Sequence, residues 1–144
     1  MGFELALPLI DGKFKYFGNG PLESYSDMTH HGVIGVHSSD AGSEYVNYVR
    51  PQEHGNHTDC KWLEISDKLR FEAEDKMEIC VLSHSMEQIN AAQHTDEIGE
   101  PDATHIRIDY KVSGIGSASC GPELDKKYRL DEKHISFEFT MKLI

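Results

Sequence analysis

Apolar side chains recur at every second position in one short run after another along this chain, and each run stops within a few residues at Gly, Pro, Asn or Asp. A period of two is that of a strand with one buried face, whereas a helix repeats at 3.6. This alternation restricts the chain to an all-β architecture before any single residue is interpreted. The runs are too short for long helices, and a parallel α/β fold would need a helix after most strands.

The runs can be placed. Phe3, Leu5, Leu7 and Leu9 alternate in Gly2–Leu9, and Lys13–Phe17 follows after Asp11-Gly12, a hairpin signal that predicts pairing of the two. Gly18–Asp27 (GNGPLESYSD) reads as an ordered loop pinned by Tyr16, Phe17 and Tyr25. Met28–Ser43 reads mostly as loop, because Gly32, Gly35 and Gly42 interrupt the short apolar stretch at Val33, Ile34 and Val36. Glu44–Arg50 alternates up to Pro51 and predicts a strand. After a turn over Gln52–Thr58, Asp59–Ser66 predicts an interior strand with Cys60 and Trp62 on one face and Leu63 and Ile65 on the other. Leu69–Ala73 and Met77–Leu82 read as two strands joined by a turn at Glu74-Asp75-Lys76. Ser85 and Gln88 form a capping-box pattern ahead of Met86 and Ile89, the one persuasive helix. Thr104–Val112 and Ile135–Leu143 close the series, with a return to the sheet expected at Lys127–Leu130. The sum is an antiparallel β-sandwich with one short helix, in a single domain over residues 1–144.

Composition narrows the function classes. Twenty-five acidic against fourteen basic residues give a net charge of −11 with no basic stripe, which opposes binding to nucleic acid or to an anionic membrane. No apolar window is long enough to span a bilayer, and Met1–Ile10 lacks a signal-peptide n-region. The chain opens directly into an alternating run, so Met1 is expected to be internal to a longer protein. Three cysteines, Cys60, Cys80 and Cys120, fit reduced thiols and a cytoplasmic setting, with a Cys60–Cys80 bridge open if their strands pair.

Few constellations carry chemistry. His54, His57 and Cys60 stand near metal-ligand spacing, with His30 and His31 as remote partners, but their turn setting reads as solvated histidines. Cys120 as a nucleophile would need His84 or His94 brought beside it. The acids fall in charged clusters, such as Glu72, Glu74 and Asp75 or Asp96, Glu97 and Glu100. These read as solvated surface, so no pair of glycosidase carboxylates is evident. Trp62, Tyr25, Tyr45 and Tyr48 read as core before they read as a sugar-stacking platform. The stretch from Gly114 to Pro122 is different: three glycines and a proline allow positive-φ turns and let another surface approach closely. It is either a connection or a working loop.

The order YFGNGPLESYSD, EYVNYVRPQEHGNHTDCKWLEI, the short helix before HTDEI, IRIDYKVSGIGSASCGPEL, and YRL before a phenylalanine-rich last strand strongly resembles the C-terminal, small-chain domain of family 2 β-galactosidases. The resemblance runs along nearly the whole chain. It implies the C-terminal half of a galactose-mutarotase-like β-supersandwich, without the barrel that carries the catalytic glutamates of a retaining glycoside hydrolase. It also implies a loop that reaches toward the galactoside pocket, here Gly116, Ser117, Ser119, Cys120 and Gly121. Cys120 stands where the family has a tryptophan, and a thiol offers a sugar no aromatic face. A peripheral alkali-ion site of carbonyl oxygens would fall near Arg50, Pro51, Ile89 and Ala92. The parent enzyme would use Mg and Na or K, with none bound by side chains of this chain. Its expected partners are the other domains or large chain, the galactoside, and a second copy in a homo-oligomer. Two rivals remain: an autonomous carbohydrate-binding module, and a structural or oligomerising domain.

Overall fold

The computed structural model describes residues 1–9, 11–116 and 122–144. Seven antiparallel strands make one sheet: β1 (Gly2–Leu7), β2 (Lys13–Gly20), β3 (Val33–Asp40), β4 (Asn56–Ile65), β5 (Leu69–Leu82), β6 (Thr104–Asp109) and β7 (Phe139–Leu143). The order is β1-β6-β5-β4-β2-β3, and β7 pairs with β5. The sheet is not closed into a barrel. It bends so that Phe3 of β1 and Phe139 of β7 meet at 5.9 Å between ring centroids, and Phe139 also packs on Phe71 at 6.3 Å. The all-β, antiparallel class with one short helix is therefore as expected.

One face of the bent sheet is the core. Phe14, Tyr16, Leu63, Ile65, Phe71, Ile79, Val81, Ile106 and Ile108 are buried there as one cluster. Alternation explains this side: positions 71, 73, 77, 79 and 81 of β5 point inward. Cys80 and Leu82 point to the other face, which the helix α1 (Met86–Ala91) covers with Ile89. Ser85 caps α1 as expected. Its hydroxyl accepts from Gln88 N, and the Gln88 side chain accepts from Ser85 N at 2.7 Å. No helix among the described residues is long and apolar enough to cross a membrane.

Several expectations are corrected. β1 does not pair with β2. It pairs along its whole length with β6, from Gly2↔Asp109 to Leu7↔Thr104, which sets Leu5 and Leu7 against the core. Asp11 and Gly12 do have positive φ (22° and 64°), but Gly12 O accepts from Ala41 N, so their turn serves the end of the β2–β3 pair. Residues 33–40, expected as loop, form β3, paired with β2 from Gly20↔Val33 to Lys13↔Asp40. β3 is an edge strand with both faces partly open, so no alternation marks it.

Glu44–Arg50 is irregular rather than a strand: its alternating side chains serve as separate pins, Glu44 on His57 and Tyr45 on the edge of His54. In β4 a bulge at Asp59 (φ 57°) shifts the register, so Cys60 is buried with Leu63 and Ile65. Trp62 is half-exposed beneath the Arg70 guanidinium, not core. Glu74-Asp75-Lys76 is no turn between strands but a bulge within β5. Cys60 pairs with Met77 and Trp62 with Glu72, so two steps along β4 match five along β5. Lys127–Leu130 does not re-enter the sheet either, and Lys126–Tyr128 makes a 3-10 turn.

Candidate functional site

The glycine-rich stretch leaves the sheet after β6, and its first residues are built into the protein. Met28 N donates to Tyr25 O and Tyr25 N to Met28 O, closing a tight turn with Ser26 and Asp27 at its tip. Tyr25 is fully buried and anchors that turn, although the loop expected over Gly18–Asp27 begins only after Gly20, since Gly18, Asn19 and Gly20 end β2. From the tip the Asp27 carboxylate accepts from two successive backbone amides, Ile115 N at 3.1 Å (Oδ1) and Gly116 N at 2.8 Å (Oδ2). Ser26 Oγ donates to Tyr128 O at 3.1 Å, and Gly114 N donates to the same carbonyl at 3.1 Å. On the return limb, Arg129 Nε donates to Leu124 O at 2.7 Å and its guanidinium pairs with Glu123. A shallow depression bounded by Asp27, Gly116, Pro122, Leu124 and Tyr128 opens at this base, with a volume of about 440 Å³.

The glycines are needed here for a reason other than the one expected. Neither Gly114 nor Gly116 is among the positive-φ residues. A Cβ on Gly114 would lie 2.6 Å from Asp27 Cγ, and one on Gly116 would lie 2.8 Å from Asp27 Oδ2. Close approach of the carboxylate demands the missing side chain. Of the expected pocket residues, Gly116 is placed by this clamp, while Ser117, Ser119, Cys120 and Gly121 lie outside the described residues. The pairing of Cys120 with His84 or His94 falls outside them for the same reason.

Other expected residues have different roles from those foreseen. His54 and His57 are buried, not solvated. Tyr16 Oη lies 2.9 Å from His57 Nδ1, and His57 Nε2 lies 2.8 Å from Glu44 Oε2, so both ring nitrogens are occupied within the protein. That chain of hydrogen bonds ties β2, β4 and the segment after β3 together and leaves His57 no lone pair for a metal. Cys60 and Cys80 are free thiols on paired strands, and burial pushes both well above the ordinary thiol range. Among the described residues no three His, Cys, Asp or Glu side chains come together as a metal site.

Near the residues expected to offer carbonyls to an alkali ion, Arg50, Pro51, Ile89 and Ala92, the flanking segments are joined by Thr95 Oγ1, which donates to Asn47 Oδ1 at 3.0 Å and accepts from Tyr45 Oη at 3.4 Å. Since α1 ends at Ala91, its last carbonyls have no partner further along the helix. Oxygen donors of that kind suit a hard cation.

Sequence reasoning missed the buried acids. Glu44, Glu78 and Asp109 are each less than 10% exposed. For Glu78 and Asp109 a signal was present, since each is a lone acid in an apolar strand run, MEICVL and IRIDY. Burial pushes the Glu78 carboxyl up to about 7, against the hydrogen bonds from Asn56 and Val112 and with some help from Asp109 and Asp59.

Comparison with known proteins agrees with the resemblance. The family model for the β-galactosidase small chain matches residues 1–141. A β-galactosidase of Staphylococcus xylosus is 35% identical over 99% of this chain, and one of Actinobacillus pleuropneumoniae is 35% identical over 97%. One of Kluyveromyces lactis is 33% identical over 98%. The chain spans only 14 to 15% of the length of these relatives. With the family model matched over residues 1–141 and relatives above 30% identity along nearly the whole chain, the chain belongs to the β-galactosidase small-chain family.

Proposed function

We propose that this chain is a non-catalytic C-terminal part of a β-galactosidase acting on terminal β-D-galactosides, and that the loop from Gly114 to Pro122 forms one wall of a pocket whose carboxylates come from another domain. The observation that carries this reading is the Asp27 clamp on Ile115 and Gly116. A mere connection needs no carboxylate on two consecutive amides with glycines cut to fit it, whereas a pocket wall needs a fixed base, because a displacement of about 1 Å can cost on the order of a hundredfold in rate. Galactoside, the remaining domains or large chain, Mg elsewhere in the parent enzyme, and Na or K at the Arg50, Pro51, Ile89 and Ala92 carbonyls belong to the same proposal. So does a cytoplasmic location, which the two unbridged buried thiols support.

In the full-length enzyme, Asp27→Ala is expected to lower kcat/KM for a nitrophenyl galactoside by at least about tenfold. The melting temperature should barely move. The isolated chain should not hydrolyse that substrate, since the two carboxylates of retaining chemistry are supplied elsewhere. Unchanged kcat/KM in the Asp27 variant would remove the loop from the pocket. A structural or oligomerising role then takes precedence, favoured by the edge strand β3 with Val33, Ile34 and Val36 exposed. Galactoside affinity of the isolated chain in a titration would instead favour an autonomous binding module.

A further inference from the structure

Glu78 lies on β5, and among the described residues its carboxylate makes no hydrogen bond to Asp27, Ile115 or Gly116. Its Oε2 accepts from Val112 N at 3.0 Å and from Asn56 Nδ2 at 2.9 Å. Asn56 Nδ2 also donates to Ser24 O at 2.9 Å, and Asn56 O accepts from Ser24 N at 2.6 Å. Two routes therefore run from this carboxylate to the same place. One goes along the chain from Val112 to Ile115 and Gly116. The other goes through Asn56 and Ser24 to Asp27, which closes the ring by accepting from those two amides.

We propose that Glu78 is a positioning residue for the galactoside-pocket wall: its carboxylate holds the two segments that carry the loop base, Ser24–Asp27 and Val112–Gly116, in a single register. This rests on the reading of the loop given above. Stability does not account for an acid at this position. Glu78 is buried on the face of β5 opposite Met77, Ile79 and Val81, and a carboxylate taken out of water there costs more than an apolar side chain would. What an apolar side chain lacks is an acceptor for Val112 N and Asn56 Nδ2, and an ionised acceptor makes the stronger bonds.

The charged surroundings of Glu78 come from three strands and the chain beyond them. Asp109 on β6 and Asp59 on β4 oppose its ionisation. Asp75 and Lys76 from the β5 bulge and Lys111 beyond β6 line the cleft of about 300 Å³ that it borders. Lys76 is engaged by Asp59, and Asp109 by Arg107 and the Met1 amine. With burial as the main cause, the Glu78 carboxyl is pushed up to about 7.

The test uses the full-length enzyme and a nitrophenyl galactoside, comparing wild type, Glu78→Gln and Asp27→Ala from about pH 6 to about pH 8. Glutamine matches the protonated side chain in shape. Near the acid end Glu78→Gln should equal wild type, and near the alkaline end its kcat/KM should fall about fivefold below, because the ionised acceptor is missing. Hydrogen exchange at the Val112–Gly116 amides should accelerate at the alkaline end while the melting temperature holds or rises. A ratio to wild type that does not change with pH would make Glu78 structural only and overturn the proposal. An effect of Asp27→Ala without any of Glu78→Gln overturns the role of Glu78 and leaves the loop reading standing. If neither variant changes kcat/KM, both fall.

Discussion

Two regions of this domain hold together by opposite means. On the inner face of the sheet, Phe71, Ile79, Ile106 and Ile108 are fully buried, and none carries a side-chain polar group. At the loop base, backbone segments are held in place by hydrogen bonds from and to Asp27, Ser26, Asn56 and Glu78. The first arrangement is stabilised by area removed from water, which is non-directional and tolerates repacking. The second depends on hydrogen bonds of fixed direction, which contribute little net stability but specify position. A core can be changed and the fold kept in register. A polar base can keep its stability and still let the loop move.

That contrast can be broken at either end. Phe71→Ala should have the largest effect on folding, a loss of about 3 to 5 kcal/mol from the cavity and lost transfer energy. Equilibrium unfolding would read it, and kcat/KM of the folded fraction should stay near wild type. His57→Leu should come next, at about 3 kcal/mol, because it strands the buried Glu44 carboxyl and the Tyr16 hydroxyl together. A loss equal to that of an exposed histidine would show that the buried chain does not couple β2 to β4.

The pH dependence of stability sharpens the comparison from the other side. The folded-state value for Glu78, about 7, lies above its ordinary value of 4.5, so the native state binds more protons than the unfolded chain between the two. Its contribution is fully present below the ordinary value and is lost as pH rises through about 7. The unfolding free energy of wild type should therefore fall by about 3 kcal/mol across that window relative to Glu78→Gln. An identical slope in the two proteins would mean that Glu78 is not desolvated. The smallest effect is expected from Ser26→Ala, about 1 kcal/mol for one lost hydrogen bond to Tyr128 O. In contrast to Phe71→Ala, it should alter turnover more than melting.

Legibility followed the same division. The strands of the core were readable wherever alternation met a burial gradient, as in β1, β6 and the second half of β5. The helix was readable from Ser85 and Gln88 because a cap is a local contact. Edge strand β3 was not, since both of its faces are partly open, and neither was the irregular course of Glu44–Arg50, whose alternation reflects separate side-chain pins. For the candidate site, the glycines at 114 and 116 were visible, but the reason for them was not: Asp27 stands 87 and 89 positions away in sequence.

The sequence by itself determined the all-β class, the inward positions of the regular strands, the capped helix and the kinship with the β-galactosidase small chain. All of these are encoded in local period or in ordered motifs. Only the tertiary structure decided which strands are neighbours, that β1 joins β6 instead of β2, and that the bulges at Asp59 and Glu74–Lys76 turn Cys60 inward and Trp62 outward. It alone brought Asp27, Asn56 and Glu78 to one loop base. Pairing and polar convergence join residues far apart along the chain, and a residue's own neighbours in sequence carry no record of which distant donor or acceptor it will meet.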